Sequence, residues 1–476
     1  MDTPFIKLIK TPRNRYFYDV GKNEIVQISN SLFEALHSIE NGEVPCERVF
    51  GNPSEELMSL IEEGYLSTKR PTSIRHQSTD KCQIYLERKV DSITLQVTQD
   101  CNFRCKYCIY SEEKNKKQRS HKHENMAWDT AKRAIDFYQE HSIDSKYKSI
   151  SFYGGEPLLQ FDLIRKVVEY SEGVFAGVPL LFNMTTNGSL LNEQIVDFLV
   201  EHSFHLLVSV DGIKTTHDKN RVFRNGNGTY DIVMSNLNAI EAKHPEFYKG
   251  ISINSVVDMD TDIDSVIALE SELCGIPKAN FQSNFVEDTD HVVIPNEDYI
   301  MKSRYQGFLA YLTLLGEIKV SELSSFGRLN LNEITNSFRN IKSTPLMSDV
   351  IAPSGPCVPG KTRLFVTTDG LLFPCERVNE ASYMCIGNIH NGFDYTRIVE
   401  LLNIGKLTED KCKNCWAIRL CEVCAKSCDD GRGISADAKK SSCESSRISA
   451  ERKIRSFVLM SEILNDYKAV ANKVRE

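Results

Sequence analysis

Residues 101–110 read CNFRCKYCIY, which places three thiols within eight positions. Thiolates are soft donors that ligate metals. A closed structural zinc site takes four protein ligands, and a set of disulfides takes an even number of cysteines. Three thiols therefore imply a partner elsewhere in the chain or a coordination position left open for chemistry. A second group lies further on: Cys357, Cys375, Cys385, Cys412, Cys415, Cys421, Cys424, Cys428 and Cys443. Its paired spacings also suit a zinc ribbon.

The chain around these thiols has the composition of a globular protein, with 41% hydrophobic and 26% charged residues over 476 positions. A formal net charge of -8 argues against nucleic acid or an anionic membrane as the main partner. The start, MDTPFIKLIK, has no apolar signal core, and no stretch approaches the roughly 18 uncharged apolar residues of a membrane span. We expect a cytoplasmic protein, where clustered thiols ligate metal or do chemistry rather than pair as disulfides. The isolated Cys46, Cys82 and Cys274 are expected to be small buried apolar residues.

The elements that must position the thiols fall into blocks. RYFYDVGKNEIVQIS predicts a hairpin turning at GKN. A helix capped near 29–31 follows, then a second with Ser54 as cap, Glu55 and Glu56 in its first turn and Gly64 beyond its end. STKRPTSIRHQSTDK looks like a linker, so residues 1–85 are expected to form a separate module. From 93 on, six short apolar runs alternate with helical spacing: ITLQVT, KSISFY, LLFNMTTNG, HLLVSVDG, GISINSVVD and NFQSNFV. That alternation predicts an α/β fold with a parallel sheet, consistent with an incomplete barrel whose site lies at the carboxyl ends of its strands. The cysteine triplet follows the first strand, YGGEP (153–157) the second, TTNG (185–188) the third and SVDG (209–212) the fourth.

The spacing Cys101-x3-Cys105-x2-Cys108, with Tyr107 before the last cysteine, resembles the signature loop of the radical S-adenosylmethionine (radical SAM) enzymes. The resemblance implies a four-iron, four-sulfur (4Fe-4S) cluster on the three thiolates, its fourth iron binding S-adenosylmethionine (SAM), which is cleaved reductively to a 5'-deoxyadenosyl radical. It implies a partial (β/α)6 TIM-like barrel over about 90–345. YGGEP resembles the family's glycine-glycine-glutamate motif, with open backbone at Gly154 and Gly155 and with Glu156 holding the SAM amino group. Ser209 would contact SAM, Arg221 in HDKNR would pair with its carboxylate, and Tyr107 would lie against the adenine. The plain alternative for Arg221 is an ion pair.

Residues 346–445 resemble the SPASM domain, an extension of such enzymes that holds auxiliary clusters, with RLFVTTDGLLFPC as its hairpin and 446–476 as a terminal helix. By that pattern Cys412, Cys415, Cys421 and Cys443 share one cluster, while Cys357 and Cys375 share another with Cys424 or Cys428. The pattern's next cysteine would fall at Ala425, so the choice between those two is open, and Cys385 is a further candidate. About three clusters are implied in all.

Residues 1–85 resemble the winged-helix precursor-recognition modules of ribosomal peptide maturases, to which a leader peptide adds as a strand. A dimerisation or stability role is the alternative. The whole chain is thus similar to a radical SAM/SPASM peptide maturase, acting on a precursor peptide with a leader and drawing electrons from a donor such as flavodoxin or ferredoxin. Glu376, directly after Cys375, is a candidate proton acceptor; its alternative is a salt bridge to Arg377 or Arg363. A sulfatase-maturase-type enzyme and a non-catalytic metal-binding redox protein are the competing functions.

Overall fold

A computed structural model describes residues 3–108, 110, 121–258, 261–286 and 296–475, with side chains to 465. Its contacts divide it into two units. One comprises 1–80, 332–356 and 400–476, and the other 81–331 and 357–399.

The first unit opens with β1 (Ile6–Lys10), β2 (Arg15–Asp19) and β3 (Glu24–Ile28), an antiparallel sheet in that order. The expected β2–β3 hairpin is present, and β1 is an addition. Then come α1 (Asn30–Glu40), α2 (Cys46–Phe50) and α3 (Glu55–Glu62). Ser29 and Ser54 cap α1 and α3 as expected, each hydroxyl accepting a backbone N–H three residues on, from Leu32 and Leu57. Phe17, Phe33, Leu36 and Leu57 close a small core beneath the sheet.

Phe5, Tyr16 and Tyr18 belong to a different core, packed with Ile418, Leu420, Ala450 and Ile454. Residues 1–80 are therefore built into a larger unit through apolar side chains contributed from 341 to 458. The stretch expected as a linker is likewise tied down. It carries β4 (Ser73–Ile74), too short for any periodic signal, whose parallel partner is the segment Val350–Ile351.

The second unit holds all six expected strands: β5 (Ile93–Thr98), β6 (Lys148–Gly154), β7 (Leu180–Thr186), β8 (His205–Ser209), β9 (Ser252–Val257) and β10 (Phe281–Phe285). They pair in parallel in consecutive order, as helices between successive parallel strands require. In β5 every residue is buried, with Ile93, Leu95 and Val97 alternating with Thr94, Gln96 and Thr98. Alternation in an extended strand sends these two sets to opposite faces. One face is thus apolar and the other is a polar interior.

With Val350–Ile351 counted as β11, the predicted C-terminal hairpin is β12 (Leu364–Val366) and β13 (Leu371–Phe373). It joins the barrel sheet: β12 pairs in parallel with β5, and β14 (Gly387–Asn388) and β15 (Gly392–Phe393) extend the far edge. The last helix spans Ala436–Arg475, starting ten residues before the expected boundary and so including Cys443. Of the isolated cysteines, Cys46 and Cys82 are buried as expected, whereas Cys274 is exposed. Among the described residues no helix is long and apolar enough to cross a membrane.

Candidate active site

The four motifs expected at one edge of the sheet are joined there by hydrogen bonds. Glu156 is fully buried and anchors the second motif to the third. Its carboxylate accepts the Asn187 N–H at 2.7 Å, the Thr186 hydroxyl at 2.7 Å and the Leu158 N–H at 3.1 Å. Burial outweighs these three donors and raises its pKa to about 7. Asn187 in turn donates its side-chain amide to Asn102 Oδ1 at 2.8 Å and approaches Cys101 Sγ at 3.9 Å, reaching the first motif.

The glycines of YGGEP serve contacts within the protein. A Cβ at Gly154, whose φ is +139°, would lie 2.0 Å from the Thr98 carbonyl, and one at Gly155 would lie 2.0 Å from that of Asp100. Only bare backbone allows Gly155 N–H and Glu156 N–H to donate to those carbonyls, at 3.0 and 2.8 Å. The strand leading into the cysteine loop packs directly against this bare backbone.

The fourth motif supplies Asp211, which the sequence reading passed over although SVDG was in view. Asp211 is 1% exposed. It receives the Tyr107 hydroxyl at 2.5 Å and the Val256 N–H at 2.9 Å, and Arg221 Nε lies 3.0 Å away. That Nε faces the Asp211 carboxylate, and both side chains are buried. The guanidinium sits 5.4 Å from the Tyr107 ring centre. Burial works against the Arg221 charge, and Asp211 overrides it, so the residue stays charged. The ion pair weighed for Arg221 is therefore present, and its guanidinium stands beside the cysteine loop. Ser209, at the end of β8, is buried at the same edge. Next to it, His217 Nδ1 accepts the Asp211 N–H at 3.3 Å and its Nε2 meets Thr229 Oγ1 at 2.9 Å. Burial lowers its pKa to about 4, so it serves as a neutral buttress.

The three thiols of the loop are close enough that each thiolate would repel the others; Cys101 is buried, and Cys105 and Cys108 are half-buried. Burial pushes Cys105 up to about 12, with Arg221 pulling the other way. Uncompensated thiolates are costly here, and a metal cluster removes that cost. Three soft donors beside a charged arginine fit a cluster that leaves one position for a carboxylate-bearing ligand.

A second thiol site lies in the first unit. Cys412, Cys415, Cys421 and Cys443 line one cavity of about 120 Å³. These are the four cysteines expected to act together, two from a short helix and its turn, one from the next loop and one from the last helix. Cys428 is buried beside Cys424, donating to its carbonyl at 3.4 Å; burial raises its thiol to about 12. Cys357, Cys375 and Cys385 belong to the other unit, where Cys385 Sγ donates to the Gly387 carbonyl at 3.2 Å. Among the described residues no three His, Cys, Asp or Glu side chains converge on a single-ion position.

Glu376 lies apart from the cysteine loop. It lines a polar cavity of about 420 Å³ with Ser92, Ser149 and Ser252, residues from the starts of strands or just before them, and with Arg363. Arg363 Nη1 donates to it at 2.5 Å, the salt bridge weighed for it.

Residues 95–257 match the Radical SAM superfamily, a span from β5 to the end of β9 that contains the cysteine loop, Glu156, Asp211 and Arg221. Over this span the chain is similar to the radical SAM enzymes, a family that uses a 4Fe-4S cluster and SAM. The chain is 25% identical over 54% of its length to the radical SAM cyclopropyl synthase TigE of Paramaledivibacter caminithermalis, and spans about half (48%) of that protein. It is 22% identical to a cysteine-type anaerobic sulfatase-maturating enzyme of Clostridium novyi over 68% of this chain and 84% of that one. The fold is shared with a solved structure of native anSMEcpe with bound AdoMet and a Cp18Cys peptide, with a TM-score of 0.56, 20% identity and coverage of 78% and 99% of the two chains.

Proposed function

We propose that this protein is a radical SAM enzyme that modifies a ribosomally made precursor peptide in the cytoplasm, with electrons from a flavodoxin- or ferredoxin-type donor. When bound, the cluster and SAM supply a 5'-deoxyadenosyl radical that removes a hydrogen atom from substrate. The observation that carries the reading is the buried Tyr107–Asp211–Arg221 group beside the cysteine triplet. Cys101, Cys105 and Cys108 would hold the cluster. Arg221, kept charged by Asp211, would orient a carboxylate of SAM, and Tyr107 would offer its ring to the adenine. Glu156 and the two glycines would set the loops around the ligand.

A peptide substrate is supported by the antiparallel sheet β1–β3, whose outer strands offer main-chain groups for an added strand. TigE and the sulfatase-maturating enzyme are both named for modifying reactions. The sulfatase-type reading is the alternative, favoured by the extent of the Clostridium novyi match.

Deleting residues 1–85 would strip Phe5, Tyr16 and Tyr18 from a shared core, so the intact chain is the better test object. Hydrogen–deuterium exchange with a synthetic leader peptide should slow along β1 or β3, and mass spectrometry of the core peptide with SAM and dithionite should show a mass change. No protection, together with conversion of a sulfatase-derived cysteine peptide, would transfer the assignment to the sulfatase-type reaction.

A further inference from the structure

Lys439 is 1% exposed, and its Nζ reaches only Thr408 Oγ1 and, at 3.1 Å, Cys412 Sγ among the described residues. A buried ammonium needs a compensating negative charge. No carboxylate supplies one, for the cavity it enters is lined by Lys411, Lys439, Lys440 and Arg447 and by no Asp or Glu. Lys440 is drawn outward to the exposed Asp437 at 2.8 Å, which leaves Lys439 as the buried cation. The only groups in the wall able to become anionic are the four thiols. Lys439 and Cys443 lie four apart on the helix Ala436–Arg475, one turn, so both face the cavity.

We propose that Lys439 sets the reduction potential of the cluster held by Cys412, Cys415, Cys421 and Cys443. This rests on the radical SAM/SPASM reading of the chain. One-electron reduction adds a negative charge to the cluster, and a fixed cation donating a hydrogen bond to a ligand sulfur favours the more negative state. Thr408 Oγ1 at 3.4 Å from Cys412 Sγ and Ser446 Oγ at 3.7 Å from Cys421 Sγ add neutral contacts to the same sulfurs. The charge, however, is the lysine's. The site is thereby poised to accept one electron, from the external donor or from a substrate-centred radical that is oxidised in giving it up. Lys439 acts through the cysteine sulfur it contacts, as a positioning and tuning residue.

The test is a redox titration of the full-length, reconstituted protein with dithionite and mediators, followed by electron paramagnetic resonance. The background carries Cys101→Ala, Cys105→Ala and Cys108→Ala, and the signal in question is the one lost on adding Cys415→Ala. In Lys439→Met the reduced-to-oxidised ratio at the parent's midpoint should fall about tenfold, equivalent to about 59 mV for one electron. Lys439→Arg should keep the parent midpoint. An unshifted midpoint in Lys439→Met overturns the proposal. Should that variant shed iron, Lys439→Gln, which keeps a donor and drops the charge, is titrated instead, and an unshifted midpoint there overturns it equally. A parent with no signal dependent on Cys415 overturns the cluster reading of the cavity itself, a result distinguishable from a cluster that is present and indifferent to Lys439.

Discussion

The cysteine loop after β5 and the cavity at the start of the last helix present the same ligand atom in different electrostatic settings. Around the loop, buried charges of both signs meet: Glu156 and Asp211 are carboxylates, and Arg221 answers only one of them. Around the cavity the charges are all positive, with Lys439 on a cysteine sulfur. The number of thiols differs in the matching sense, three in the loop and four in the cavity. A three-thiol site beside a charged arginine suits a further, carboxylate-bearing ligand. A four-thiol site with a buried cation would, on the proposed reading, be closed and equipped to hold electrons.

The most severe way to break this comparison is Cys105→Ala. Losing one of three thiolates should abolish reductive SAM cleavage, read as 5'-deoxyadenosine by chromatography, while the four-thiol cavity keeps its iron. Normal 5'-deoxyadenosine formation would mean the loop is not the catalytic centre.

Arg221→Met comes next, because it leaves Asp211 buried without its cation. Breaking a buried pair from one side costs about 3–5 kcal/mol, so chemical denaturation should show a loss of that order. Titration with SAM should show weakened binding, which Arg221→Lys restores only in part because it lacks the planar fork.

Glu156→Gln sharpens the electrostatic side. The folded carboxyl titrates near 7 and the unfolded one near its ordinary 4.5, so the folded state binds the extra proton. The stability this contributes is fully present below pH 4.5 and is lost as pH rises through 7. Relative to Glu156→Gln, the wild type should therefore lose on the order of 3 kcal/mol between pH 5 and pH 8. A pH-independent difference would mean that the three donors hold Glu156 ionised in spite of burial.

Glu376→Gln is the mildest. Its partner Arg363 is 46% exposed, so solvent screens the pair. A stability change of at most about 1 kcal/mol and unchanged 5'-deoxyadenosine formation are expected. A large fall in peptide product with unchanged stability would return Glu376 to the chemistry.

The six barrel strands, their order and the edge that carries the site were legible because each strand is a short apolar run ended by polar or glycine residues, and right-handed crossovers leave few arrangements. The helix starts at Ser29 and Ser54 were legible because a cap is a local event. β1, β4 and the start of the last helix were not. A two-residue strand has no period, and β4 exists only because Val350–Ile351 runs beside it.

Residue types and spacing alone determined the class of chemistry: the thiol triplet, the glycine pair before Glu156, and an arginine twelve positions after Ser209. Tertiary structure decided what each polar group spends its charge on. It gave Asp211 to Arg221 and Tyr107, Glu376 to Arg363, and Lys439 to Cys412, pairings separated by 10, 104, 13 and 27 positions. Most of those separations carry no local signal, because desolvation is a property of the folded surroundings. A sequence shows which side chains are ionisable, and burial decides which of them must find a partner.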